Sequence, residues 1–206
     1  MQAEPTRLLV LRHGQTDWNA SGRIQGQLDI GLNDTGRWQA ERLAEALAHE
    51  HIDAVYSSDL MRARETAAPL ARARGLDLRL DARLRERGFG RFEGLSFEEI
   101  EQRWPDEAAR WRRREPDFGP GGGEALQSFF ARCVEAALRI ARAHAGQHVA
   151  LVAHGGVLDC LYRAATRAEM TAARTWQVNN AVVNRLLATG EGFTLVGWND
   201  DRHLAD

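Results

Sequence analysis

Short, continuous apolar runs alternate along this chain with segments whose apolar residues recur at helical spacing. Residues 7–12 form the first run, Leu8 to Leu11 between two arginines, as expected of a strand buried on both faces. A polar, glycine-containing loop follows. Leu32-Asn33-Asp34-Thr35-Gly36 then leads into a helical pattern through about His49, with Leu43, Ala46 and Leu47 on one face. Ile52 to Tyr56 reads as a second strand. Ser57-Ser58-Asp59 supplies N-cap candidates for a helix from about Leu60 to Arg74, and Leu76 to Leu80 alternates as a short strand.

The middle of the chain is less regular. Ser96-Phe97-Glu98-Glu99 has the form of a capping box for a short helix ending near Trp104-Pro105. Residues 106–115 are dense in arginine and predict another short helix. Gly119-Pro120-Gly121-Gly122-Gly123 breaks the pattern, and a long helix follows to about Ala145. Val149 to Ala153 is a third buried strand, and Gly155-Gly156 opens a helix through about Ala165. Ala181 to Ala188 and Phe193 to Trp198, joined by Thr189-Gly190-Glu191-Gly192, close the chain as two strands. Strands alternating with helices predict an α/β fold, a three-layer α/β/α sandwich with a mainly parallel central sheet. At 206 residues without a dividing linker, one domain over 1–206 is expected.

Composition narrows the function classes. Hydrophobic residues make up 44% and charged residues 27%, ordinary for a globular protein, and the net charge of −2 gives no reason to expect nucleic acid as a partner. All 27 basic residues are arginine, which removes any mechanism needing a lysine nucleophile or a P-loop lysine. Cys133 and Cys160 lie in helical, apolar patterns and predict buried, reduced thiols. The N-terminus lacks a signal-peptide layout and no apolar run approaches ~18 residues, so a cytoplasmic protein with no membrane association is the expectation. The sequence leaves the oligomeric state open, a homodimer included.

Four segments at strand ends or helix starts carry charged or imidazole groups. They are Arg12-His13-Gly14, Arg62, Glu86 within Leu84-Arg85-Glu86, and Ala153-His154-Gly155-Gly156. In an open α/β sheet the carboxyl ends of the strands border one crevice, where such distant segments meet. The first and last repeat one design: an apolar strand, a histidine, then glycine. A transferring phosphoryl group needs positive charge around its oxygens and an in-line nucleophile. Arg12 and Arg62 offer planar, bidentate forks, and His154 offers a hydrogen bond or a positive charge. Gly14 and Gly155 permit close backbone approach, and a following helix N-terminus adds favourable dipoles. His13 is the candidate nucleophile, kept neutral by the arginines, with Glu86 as general acid and base.

Each residue also has an ordinary explanation. A lone histidine after a strand is usually structural; the flanking arginine and the second strand–His–Gly unit reverse that for His13 and His154. Arg62 alone reads as a helix-surface partner of Glu65, and Glu86 alone as a solvated carboxylate. His49-Glu50-His51 reads as a polar helix end rather than a metal site. Arg110, Arg112, Arg113 and Arg114 read as a solvated face, and Trp104 and Trp111 as packing residues. The glycine run lacks the Lys-Ser/Thr of a nucleotide-binding loop.

With these residues in place, the chain resembles the histidine phosphatase superfamily, in its phosphoglycerate-mutase-like branch. The resemblance rests on Leu11 to Asn19, Gly22-Arg23-Ile24-Gln25-Gly26 and Leu32 to Gly36. It continues through Ser57 to Ala67, Leu84-Arg85-Glu86 with Phe89-Gly90 and Glu93-Gly94, Ala153 to Gly156, and the tail Asn199 to Leu204. It implies the phosphoglycerate-mutase-like fold, phosphorylation of His13, and proton donation and acceptance by Glu86. It further implies a phosphate pocket of Arg12, Arg62 and His154, with Asn19, Gln25 and Gly26 contacting phosphate or substrate and neither metal nor cofactor required. Gln15 stands where most members carry an acidic residue.

Glycolytic mutases of this type carry a long insertion between the acid and the second histidine; here that interval is short. The resemblance therefore favours a phosphomonoesterase acting on small phosphorylated metabolites, with residues 95–125 as a substrate-covering insertion that decides specificity. A phosphoglycerate mutase using the same phosphoenzyme is the nearest rival, and a catalytically inactive phospho-ligand-binding protein the next.

Overall fold

The computed structural model describes residues 4–205. Six strands form one sheet: β1 (Thr6–Arg12), β2 (Ala54–Ser57), β3 (Leu78–Leu80), β4 (His148–Ala153), β5 (Val183–Thr189) and β6 (Gly192–Asp200), in spatial order β3-β2-β4-β1-β5-β6. The first four in that order run parallel, β5 runs antiparallel to β1, and β6 runs antiparallel to β5. The sandwich expected from the sequence is present, with its sheet parallel on one side only.

Alternation along the central strands divides the core. Leu8 and Val10 of β1, with Val149 and Leu151 of β4, pack on one face against α6 (Leu126–Ala143) and α7 (Gly155–Thr166). Leu9 and Leu11, with Ala150 and Val152, pack on the other face against α2 (Asp34–Ala46) and α3 (Met61–Arg74). Each fully buried Leu or Val contributes roughly 1.5–3 kcal/mol. Cys133 and Cys160 are buried, free thiols in the first of these cores.

The capping box expected at Ser96 is present, and a second local cap accompanies it at Asn33. Asn33 Oδ1 accepts from the Gly36 amide at 2.9 Å to start α2, and Ser96 with Glu99 closes a capping box on α4 (Phe97–Arg103). Two expectations need correction. The helix after Asn33 ends at Ala46 rather than near His49, and Ala46 is exposed while Ala44 joins the buried face. The N-cap of α3 is Leu60, which has no side-chain cap; instead Asp29 Oδ1 accepts from the Met61 amide at 2.5 Å. A carboxylate from a separate loop does what Ser57, Ser58 and Asp59 were expected to do. Ser57 and Ser58 are buried, and Asp59 is bound bidentately by Arg85.

A short helix α1 (Asp17–Ala20) follows β1, and α5 (Pro105–Arg112) follows α4. Phe92, Ile100 and Ala108 form a small separate core there, with Trp104 and Trp111 packed against it. Of the four arginines expected on a solvated face, Arg110 and Arg113 pair with Glu115, and Arg112 pairs with Glu101. Arg114 departs from that expectation. It turns inward to Asp159 at 2.8 Å and to the Met170 carbonyl.

Candidate active site

Strands β1 and β4 are neighbours whose register pairs Arg12 with Ala153. The next residues, His13 and His154, therefore leave the sheet side by side. The His13 amide donates to the Ala153 carbonyl at 3.0 Å, and the two imidazoles lie 5.2 Å apart between centroids. Both side chains are buried. A cleft of about 680 Å³ opens over this end of the sheet, with Arg12, His13, Arg62 and Glu86 among its walls.

His13 is held in one tautomer. Its Nδ1 lies 2.7 Å from the Gly14 carbonyl, which only accepts, so Nδ1 carries the proton and Nε2 presents its lone pair. Burial, then the charges of Arg12 and Arg62, drive the His13 pKa well below 6.5, against a smaller opposing pull from the Gly14 carbonyl. The imidazole is neutral. Gly14 is required by close approach, because a Cβ there would meet the Gly36 carbonyl oxygen at 2.5 Å. Its amide donates to Thr66 Oγ1 at 2.9 Å, which in turn donates to the Arg62 carbonyl. One hydroxyl thus joins the His13 loop to the arginine helix.

His154 is fully buried and does not line the cleft, and neither ring nitrogen has a partner among the described residues. Burial, followed by Arg62, His13 and Arg12, pushes its pKa well below 6.5. Of the two roles open to His154, a hydrogen bond or a positive charge, its lowered pKa favours the first. Buried polar atoms without partners are uncommon, and each costs about 1–3 kcal/mol.

The arginines are positioned by carbonyl oxygens. Arg12 donates to the Val178 carbonyl at 2.5 Å, and Arg62 donates to those of Leu28 and Gly26 at 2.8 and 2.7 Å. The Nε atoms of both are buried and unpartnered. Desolvation by burial lowers the Arg12 pKa to about 10, still above neutral pH, and lowers that of Arg62 as well. Glu65, the expected surface partner of Arg62, instead accepts from the Leu32 amide at 2.7 Å.

Glu86 faces the arginines from a loop. Its Oε1 accepts from the Arg87 amide at 2.8 Å and its Oε2 from the Gly156 amide at 2.9 Å, at the start of α7. The amides of α7 were expected to serve a ligand, but this one serves Glu86. The close-approach glycine is also Gly156 rather than Gly155: a Cβ on Gly156 would lie 2.2 Å from Glu86 Oε1, whereas on Gly155 the nearest atom, Arg12 Nε, is 3.4 Å away. Gly155 does line the cleft, as do Asn19, Gln25 and Gly26. Asn19 Oδ1 accepts from the amide of Thr16, the N-cap of α1, closing its capping box, and Gln25 Oε1 is buried without a partner among the described residues. Gln15 contacts no cleft group by its side chain; Oε1 accepts from Asn33 Nδ2 at 3.0 Å, tying the loop to the start of α2.

Sequence reasoning missed an entire wall. Residues 174–179, with Arg174, Trp176 and Gln177 among them, line the cleft together with Arg23 and Ile24. Trp176 stacks on Tyr162 at 4.0 Å, and Asn180 Nδ2 donates to the His13 carbonyl at 2.9 Å. Because β5 is antiparallel to β1, with Val183 opposite Leu11, the segment preceding β5 arrives at the carboxyl end of β1. The sequence signal was the element-free polar stretch ending in Asn179-Asn180. A second cavity of about 190 Å³ lies beyond Glu86, bordered by Arg87, Phe89, Trp111, Arg114, Phe129 and Arg174 among others. Among the described residues no group of three or more His, Cys, Asp or Glu side chains could hold a metal ion, and no helix is long and apolar enough to cross a membrane.

Chemically, this arrangement can surround a tetrahedral oxyanion with two guanidiniums and an imidazole, beside a nucleophilic nitrogen and a carboxyl group. Residues 8–201 match the family model for the histidine phosphatase superfamily (branch 1). Phosphoglycerate mutase-like protein 4 of Arabidopsis thaliana is 41% identical over 97% of this chain and 87% of its own length. Metal-independent phosphoserine phosphatase of the same plant is 36% identical over 100% of this chain and 86% of its own length. The mycobacterial glucosyl-3-phosphoglycerate phosphatase complexed with VO3 superimposes with a TM-score of 0.83 at 33% identity, covering 95% of this chain and 99% of that one.

Proposed function

Because the chain belongs to the histidine phosphatase superfamily, branch 1, we propose that His13 is the nucleophile with which it hydrolyses small phosphorylated metabolites. It is a phosphoric monoester hydrolase, as the names of its plant and mycobacterial relatives indicate. The observation that carries the residue assignment is the meeting of His13, His154, Arg12, Arg62 and Glu86 at one end of the sheet.

The phosphoryl oxygens sit against Arg12 and Arg62, and His154 donates one hydrogen bond to them. His13 Nε2 attacks phosphorus in line; the P–N bond forms as the bond to the leaving oxygen breaks, and the carboxylic acid form of Glu86 gives that oxygen its proton. Water then attacks the phosphohistidine, giving its proton to the Glu86 carboxylate while the P–N bond breaks. Phosphate departs and His13 is regenerated. Throughout, the Gly14 carbonyl retains the Nδ1 proton, so Nε2 is the nitrogen that reacts both times. Each charged donor of this kind contributes on the order of 3 kcal/mol to the transition state.

Asn19, Gln25, Gly26 and Gly155 contact the phosphoryl group or the substrate nearest it. The segment 95–125 covers the leaving-group side through Trp111 and Arg114, which border the cavity beyond Glu86. The experiment is steady-state hydrolysis of p-nitrophenyl phosphate and a panel of metabolite phosphates by the wild-type protein. His13-dependent phosphate release supports the reading and dismisses an inactive phospho-ligand-binding protein. Efficient interconversion of phosphoglycerates, given 2,3-bisphosphoglycerate and with little free phosphate, would make it a mutase.

A further inference from the structure

The C-terminal segment, remote in sequence from the catalytic groups, is bonded to the loop that supports them. The His13 carbonyl accepts from Asn180 Nδ2 at 2.9 Å and from the Ala181 amide at 3.3 Å. Asn180 Nδ2 also lies 3.2 Å from the Gly14 carbonyl, the same oxygen that fixes the His13 tautomer. Ala181 is fully buried and holds a φ of +54°, a left-handed conformation that costs a residue with a Cβ roughly 1 kcal/mol or more. Something must hold it there.

The other side of Ala181 is held from the tail. His203 Nε2 lies 2.9 Å from the Ala181 carbonyl, which requires the proton on Nε2. The tail bonds this loop at three further points. Trp198 Nε1 donates to the Gln177 carbonyl at 2.8 Å, Asn199 Oδ1 accepts from the Asn179 amide at 3.1 Å, and Asp201 Oδ2 accepts from Asn179 Nδ2 at 3.2 Å. His203 is itself anchored, because Arg42 Nε of α2 donates to its carbonyl at 3.1 Å. The chain of contacts therefore runs from α2 through His203 and Ala181 to the backbone of the nucleophile, without touching the cleft.

We propose that His203 is a positioning residue for phosphoryl transfer. By fixing the left-handed Ala181 it keeps two donors on the His13 carbonyl, and so fixes the direction in which His13 Nε2 points. This rests on His13 being the nucleophile. A displacement near 1 Å at a reacting atom costs as much as ~100-fold in rate, while binding of phosphate to the arginines tolerates it better. The effect belongs in the chemical step.

The test compares His203→Ala, His203→Gln and Arg202→Ala with the wild-type protein. Arg202 is exposed and, among the described residues, pairs with Asp200. Three readouts are taken on each: the single-turnover rate of His13 phosphorylation by p-nitrophenyl phosphate, the affinity for inorganic phosphate, and the melting temperature. His203→Ala is expected to slow phosphorylation roughly 10- to 100-fold with phosphate affinity changed less than about threefold. His203→Gln, which returns an N–H to the Ala181 carbonyl, is expected to recover most of the rate, and Arg202→Ala to match wild type. Unchanged phosphorylation in His203→Ala would overturn the proposal, as would a rate and a phosphate affinity that fall together with no recovery in His203→Gln. If instead the wild-type protein shows no His13-dependent labelling, the nucleophile assignment has failed rather than the role of the tail.

Discussion

The Gly156 amide donates a 2.9 Å hydrogen bond to Oε2 of Glu86, and Oε1 of the same carboxyl group occupies the space where a Gly156 side chain would begin. The first turn of α7 thus positions the acid twice, once by a bond and once by the absence of a Cβ. A Gly156→Ala protein should lose activity toward alkyl phosphates by about 100-fold, since the acid must move by about an ångström. Gly197→Ala, outside the cleft and with its nearest atom 3.9 Å away, should match wild type. Equal kcat/KM losses in the two variants would show that the crowding is not what matters.

His13→Ala should abolish both phosphate release and acid-labile labelling of the protein. Mass spectrometry of acid-sensitive phosphorylation after incubation with substrate checks this, and residual labelling would place the nucleophile elsewhere.

Replacing Glu86 by Gln should separate substrates by leaving group. Esters of ordinary alcohols need the proton and should slow by roughly 10²–10⁴-fold, whereas nitrophenyl phosphate should slow far less. Parallel losses across the two substrate types would remove the general-acid role.

Acid should destabilise the fold before most carboxylates titrate. His13, His154 and His203 all have pKa values below 6.5 in the folded protein, chiefly through burial, so the unfolded chain binds more protons than the native one once the pH falls below about 6.5. Stability should be level above that pH and decline below it, by at most ~1.4 kcal/mol per pH unit for each histidine. Urea unfolding between pH 7.5 and 5.5 measures this, and His154→Gln should flatten the slope. A pH-independent midpoint in the wild-type protein would contradict the burial of neutral imidazoles.

Arg174 borders both the cleft and the cavity beyond Glu86. Arg174→Gln should therefore reduce kcat/KM for a phosphomonoester whose leaving group carries a carboxylate, by roughly fivefold, the upper range for an exposed ion pair. Glycerol phosphate should be unaffected. Identical changes for both esters would limit Arg174 to general attraction of the phosphate.

What could be read from the sequence, and what could not, follows the range of the interactions involved. Leu8 to Leu11 was legible as a strand because apolar residues face both layers, and the Ser96 cap because its partner Glu99 lies three residues away. The meeting of His13 and His154 followed from two like strand ends in a parallel sheet. The cap of α3 was not legible, since Asp29 reaches Met61 from a different loop. Neither was the wall at 174–179, which depends on β5 running antiparallel to β1, an orientation that no local pattern encodes. Arg114 looked like its neighbours in an arginine run, and only the packing of α7 distinguishes it by supplying Asp159.

Arg12 and Arg62 are held by backbone carbonyls, with a buried Nε left over on each. Among the described residues neither forms a salt bridge, although Glu86 faces both, so their positive charge is only partly offset by the protein. Product relieves that mismatch. Inorganic phosphate should raise the melting temperature in proportion to the logarithm of its concentration above Kd. The same occupancy that lengthens the protein's lifetime against unfolding and proteolysis also blocks turnover, so resilience and product inhibition rise and fall together.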